Sequence, residues 1–244
     1  MSHIRLFLIA AQFLTRFPLP RLEAPAPGEA GRSVLFYPAV GLLLGAGLAL
    51  IEAAVSVRVP PFLTAALVLA VWTAATGGLH LDGLADSADA WACGGGAERR
   101  LAVMKDPNCG PAAVSTLVVV LLVKFAALAD LVPGTDWVAI ALAPMLGRAS
   151  ALALLLTTPY VRPGGLGSAM AAHLPRRAGW AVIALTGAVA LVAGHPAMWA
   201  AAVVALVLLR HLMMRYLGGA TGDTIGASVE VTEVAALTVA AFTG

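Results

Sequence analysis

The sequence predicts an all-α fold: a polytopic membrane bundle of about seven spans, with a further helix lying in the membrane interface at the N-terminal end. Three observations carry this reading. Of 244 residues, 60% are hydrophobic and only 11% are charged, against about 45–50% and about 25% in soluble domains. Mean hydropathy is +0.91. The apolar residues also cluster in stretches near the length that crosses a bilayer core, about 20 residues. Such hydrophobicity excludes disorder. A soluble globule is excluded as well, because 15 basic and 13 acidic side chains cannot wet a surface of this size. The net charge of +2 gives no basic field and so no reason to expect nucleic acid. Cys93 and Cys109 are too few for a disulfide framework and match no zinc spacing.

The first stretch, IRLFLIAAQFLTRFPLP, is amphipathic, interrupted by Arg5 and Arg16 and closed by Pro18 and Pro20. It reads as a retained interfacial helix. Segment 23–31, EAPAPGEAG, reads as a Pro/Gly-rich linker. Spans follow at 34–57, 61–79, 111–132, 137–158, 179–194, 197–217 and 227–243. The fifth and seventh are short, and the seventh carries Glu230 and Glu233. Gly41 and Gly45 form a G-x-x-x-G that suits close helix packing. Links 58–60, 133–136 and 194–196 are tight, whereas 80–110, 159–178 and 218–226 are long and polar. Seven spans place the three long links on one face. That face holds twelve Lys and Arg and the other holds Arg58 alone, with Lys124 and Arg148 inside spans. The asymmetry predicts cytoplasmic long links in one membrane-embedded domain covering residues 1–244.

Chemistry concentrates in GGLHLDGLADSADAW, residues 77–91. Asp82, Asp86 and Asp89 recur at i, i+4 and i+7, within about 60° of arc on a helix. Stacked carboxylates repel, and a hard divalent cation would offset the repulsion. Mg²⁺ is favoured where a substrate phosphate completes its shell. The alternative is a solvated acidic face. His80 opens the run as a candidate substrate contact. Downstream, Gly94–Gly96 can present backbone N–H groups to an anion, beside Arg99, Arg100 and Lys105, with Asn108 in the same loop. Carboxylates, a glycine turn and cations together suit a phosphate site. The segment 160–167, YVRPGGLG, repeats the theme with Arg162, Gly164 and Gly165.

The last long link, GGATGDTIGASVEVTE, supplies Asp223, Glu230 and Glu233. The two glutamates share a helix face. They either complement the positive helix end or turn toward the first acidic cluster to hold a metal or a substrate hydroxyl. Arg148 lies deep in a span beside Gly147 and Pro144, which allow close or kinked packing, and reads as a functional rather than a structural charge. Lys124, equally deep, has Glu52 and Asp130 as available partners.

Several segments together resemble the cobalamin synthase family, also called cobalamin 5′-phosphate synthase or adenosylcobinamide-GDP ribazoletransferase. They are FLTRFPLP, FYPAVGLLLG, HLDGLADSADAW, MKDPNCGP, the Gly147–Arg148 pair, YVRPGGLG and GGATGDTIGASVEVTE, in that order. The resemblance implies a Mg²⁺-dependent membrane enzyme of nucleotide-loop assembly in vitamin B12 biosynthesis. Its substrates would be adenosylcobinamide-GDP and α-ribazole or α-ribazole 5′-phosphate, with GMP released. In that reading Asp82, Asp86 and Asp89 hold Mg²⁺, Lys105 and Arg148 neutralise phosphate oxygens, and Asp89, Asp223 or Glu230 takes the acceptor's proton. His80, Arg99, Asn108, Arg162, Gly165, Glu230 and Glu233 contact substrate. Its partners are the lipid bilayer and either a homo-oligomer or other cobalamin-assembly enzymes. Two rivals remain: a CDP-alcohol phosphotransferase-like enzyme, whose acidic motif DGLAD echoes, and a small-solute transporter.

Overall fold

The computed structural model describes residues 2–20, 22–134, 136–164 and 166–243. These fold as α1 (His3–Leu14), α2 (Pro27–Ser33), α3 (Tyr37–Val55), α4 (Pro61–Thr76), α5 (Leu79–Ala92) and α6 (Ala97–Val103), followed by α7 (Pro111–Gly134), α8 (Trp137–Thr157), α9 (Leu166–His173), α10 (Arg176–Val192), α11 (Pro196–Leu217) and α12 (Gly222–Thr243). No strand occurs among the described residues, only a parallel bridge between Tyr160 and Ala220. The local signals are ordinary helix punctuation. Pro61 and Pro196 open α4 and α11, where a missing N–H costs nothing. Asp136 caps α8 by accepting from the Ala139 N–H at 3.0 Å. Gly218 closes α11 in the left-handed conformation.

All seven predicted spans are helices, but their lengths correct the count. Five are long and apolar enough to cross a membrane, or six if α4 and α5 form one bent span. Helices α4 and α10 have only 16 and 17 residues. The expected linker 23–31 is also corrected, because its second half begins α2. There Gly31 lies flat against the backbone of His173 in α9, and a Cβ would overlap it.

Helix α8 is the axis of the bundle, 89% buried over its apolar window against 28% for α7 and α11. Gly41 and Gly45 of α3 lie on the carbonyls of Pro144 and Ala141 of α8, where no side chain fits. The predicted G-x-x-x-G thus sets a close crossing of α3 on α8. Leu44, Leu48, Leu128, Ile140, Leu146 and Leu237 fill the core around it. Leu50, Val118, Leu122, Val204 and Leu208 are exposed, an apolar outer surface suited to lipid.

One end of the bundle collects the functional loops. Gly77 and Gly78, at φ of +62° and +70°, turn the chain 88° between α4 and α5. Only glycine enters this conformation cheaply. Helix α5 therefore leaves the path of α4, lies across the first turns of α7 and α12, and is not one of the five long spans. At the same end, Arg176 donates to the Leu156 carbonyl and Arg210 to that of Thr157, closing the last turn of α8.

Candidate active site

Helix α5 is held from two sides. The Asp89 carboxylate accepts the Gly110 N–H at 2.6 Å and the Ala113 N–H at 2.9 Å. It thereby serves the free N–H groups at the start of α7. On the other side Gly83 packs on the Asp223 backbone, where a Cβ would come within 2.6 Å of the carbonyl oxygen. This contact brings Asp223 beside the acidic face. Asp82 is exposed and Asp86 half-buried. Burial first, then the neighbouring charges of Asp82 and Asp223, push the Asp86 carboxyl up to about 6.

The cation among these carboxylates is Arg162. Two backbone bonds, Val161 N–H to the Ala220 carbonyl at 2.9 Å and Ala220 N–H to the Pro159 carbonyl at 2.8 Å, clamp its loop to the approach of α12. Arg162 then pairs with Asp223 at 3.0 Å. Its Nε and Nη2 are buried with no hydrogen-bond partner. A partly buried guanidinium with two unused donors is a ready anion site, since leaving those donors unmet is costly. Asp82, Asp223 and Arg162 line one cavity of about 290 Å³, together with His80 and Tyr160. Carboxylates able to hold a cation or take a proton thus face a guanidinium able to bind phosphate oxygens.

The remaining predicted residues lie elsewhere. Lys105, Arg99 and Asn108 are exposed, and Asn108 folds onto Asp106 through its own N–H and Nδ2. Arg100 is buried and donates to the carbonyls of Ala90 and Trp91, finishing α5. Gly165 falls outside the described residues. Arg148, Glu230 and Glu233 join Lys124 in a buried quartet. Lys124 reaches Glu230 at 3.0 Å and Glu233 at 2.5 Å, and Arg148 pairs with the other oxygen of Glu233. Lys124 also lies 3.9 Å from the centre of the Trp72 ring. Its partners are on α12, not Glu52 or Asp130. His80 is buried between cavity and quartet, with Nδ1 unpartnered and within reach of the charges of Arg148 and Lys124.

Among the described residues no three His, Cys, Asp or Glu converge as a metal-holding set. Asp89 already accepts one backbone N–H at each carboxylate oxygen, which leaves it fewer lone pairs for a metal than Asp82 or Asp86. The crowding of Asp82, Asp86 and Asp223 nevertheless fits Mg²⁺, which is commonly held by one or two carboxylates plus substrate phosphates. Phe13, Tyr37 and Tyr160 also line the cavity and were not predicted. They come from segments 13–20, 36–45 and 160–167, whose meeting in space no local pattern announces.

The model of a family described as cobalamin-5-phosphate synthase matches residues 6–241. The chain belongs to that family. Among curated cobalamin-5-phosphate synthase relatives, the adenosylcobinamide-GDP ribazoletransferase of Pseudomonas fluorescens (strain Pf0-1) is 54% identical over 94% of this chain and 96% of its own length. Proteins of the same name from Pseudomonas putida (strain GB-1) and Stutzerimonas stutzeri (strain A1501) are 53% and 52% identical, each over 94% of this chain and 95% of their own. No solved structure matches the chain.

Proposed function

We propose that the chain joins adenosylcobinamide-GDP to α-ribazole or its 5′-phosphate and releases GMP, with the reaction centre at the cavity between α5, α12 and the Arg162 loop. The observation that carries this placement is the pairing, in one cavity, of a guanidinium with two unused donors and crowded carboxylates. A ribose hydroxyl oxygen attacks the phosphorus that bears the cobinamide. The P–O bond to GMP breaks, and the hydroxyl proton passes to a carboxylate. Arg162 binds diphosphate oxygens and stabilises the charge that grows on them. Of the three candidate bases, Asp89 is occupied by backbone N–H groups and Glu230 by Lys124. Asp223 is itself paired with Arg162, but it alone of the three lines the cavity, and it takes the proton. Asp82 and Asp86 would hold Mg²⁺, whose chemistry there would be to offset negative charge on phosphate.

The quartet of Lys124, Arg148, Glu230 and Glu233 does not line this cavity and supports it from behind. The twelve-to-one distribution of Lys and Arg supports a bacterial inner-membrane setting with the α5 end in the cytoplasm. The test is GMP release by purified protein in nanodiscs, given adenosylcobinamide-GDP and α-ribazole, with Mg²⁺ or with excess chelator. Release that stops in chelator is expected. Absence of GMP, or CMP release from a CDP-alcohol donor instead, overturns the reading.

A further inference from the structure

The cavity has two unlike walls. Besides the carboxylates and Arg162, which come from α5, α12 and the Arg162 loop, the lining includes Phe13, Tyr37, Leu155 and Met170 from α1, α3, α8 and α9, an apolar wall. The Phe13 and Tyr37 rings are stacked, with centroids 6.1 Å apart and planes 20° from parallel. Tyr37 is only 3% exposed, and its hydroxyl donates to the Met170 thioether at 3.4 Å. A thioether is a weak acceptor, whereas a buried phenol normally finds a strong one. An underused donor therefore sits in apolar surroundings on the wall of the site.

Such a wall recognises a flat apolar ring with one acceptor atom in its plane. The two substrates of the proposed reaction differ here. The corrinoid is far too large, since 290 Å³ lies at the lower limit of small-molecule sites, about 300–1,000 Å³. Guanine carries polar groups around its edge that this wall would leave unmet. The base of α-ribazole is a dimethylbenzimidazole: two fused rings, two methyl groups and one free ring nitrogen with an in-plane lone pair.

We propose that the apolar wall is the acceptor subsite, with the benzimidazole against Phe13 and Tyr37 and the Tyr37 hydroxyl donating to its free nitrogen in place of the Met170 sulfur. The ribose then extends toward Asp223, and the donor's diphosphate approaches from the Asp82 side. The assignment rests on the ribazole-transfer reading above and adds the residue that selects the base.

The test pairs two ligands with two proteins. α-Ribazole and the matching dimethylindole riboside, which has C–H where the free nitrogen stands, are titrated calorimetrically into wild type and Tyr37→Phe in nanodiscs without donor. Loss of one hydrogen bond predicts that wild type prefers α-ribazole by about 5- to 10-fold. Tyr37→Phe loses this preference, and its KM for α-ribazole rises by the same factor while that for the donor is unchanged. Equal discrimination by both proteins, or a shift in donor KM alone, overturns the subsite. Should Tyr37→Phe fold poorly, the two ligands on wild type alone decide: equal affinity refutes the hydrogen bond. Wild type that binds α-ribazole with this preference but releases no GMP would refute the reaction and keep the subsite. GMP release with Tyr37→Phe unaltered would do the reverse.

Discussion

Asp82 and Asp89 share a helix face, yet their surroundings set them apart. Asp89 is bound by two N–H groups of the α7 start, while Asp82 is exposed at the mouth of the cavity. Asp89→Ala removes a cap and is expected to cost about 1–2 kcal/mol of stability, read as a lower Tm in detergent. Asp82→Ala is expected to leave the Tm unchanged and to lower GMP release by about 100-fold or more, with an unchanged rate refuting the metal role. Arg162→Lys keeps the charge but loses the fork that holds two unused donors. A fall of about 10- to 100-fold in kcat/KM for the donor is expected, with the acceptor KM unaffected. The periodicity of the three aspartates was legible in sequence, because helical spacing is a local property. The occupation of Asp89 was not, since its partners lie beyond the turn and α6 that follow it.

Among the helices, distant segments are coupled by the buried quartet. Lys124 of α7 and Arg148 of α8 meet Glu230 and Glu233 of α12, so three spans are fastened by charge as well as by packing. Removing one member strands its partners in a low-dielectric interior. Lys124→Met is expected to destabilise by about 3–5 kcal/mol. The double variant Lys124→Met/Glu230→Gln should recover part of the loss; thermal denaturation of the three proteins measures both. Sequence showed that Lys124 and Arg148 needed partners, and hydropathy alone sufficed for that. It named the wrong partners for Lys124, because the acidic residues nearest along the chain or in hydropathy are not those that the α7–α12 crossing brings near. Glycine spacing did better: Gly41 and Gly45 lie where two backbones touch, and small residues four apart signal that without knowledge of the partner.

At the scale of the whole molecule, composition and the lengths of apolar stretches disclosed an all-helical membrane bundle. The number of long spans was overread, since α4 and α10 are apolar but short. The helices within the long links, α6 and α9, went unseen because seven or eight residues carry little periodicity. Orientation has a direct check in a native side chain. Cys109 is a free, exposed thiol beside the start of α7. An impermeant maleimide is expected to label it in inverted membrane vesicles and not in intact cells; the opposite pattern would reverse the topology.

Phe13, near one end of the chain, and Asp223, near the other, face the same chamber. A ribosome that halts before α12 has therefore delivered a bundle whose front wall waits for its back. A copy halted ahead of Asp223 is therefore expected to release no GMP, however well its earlier helices insert.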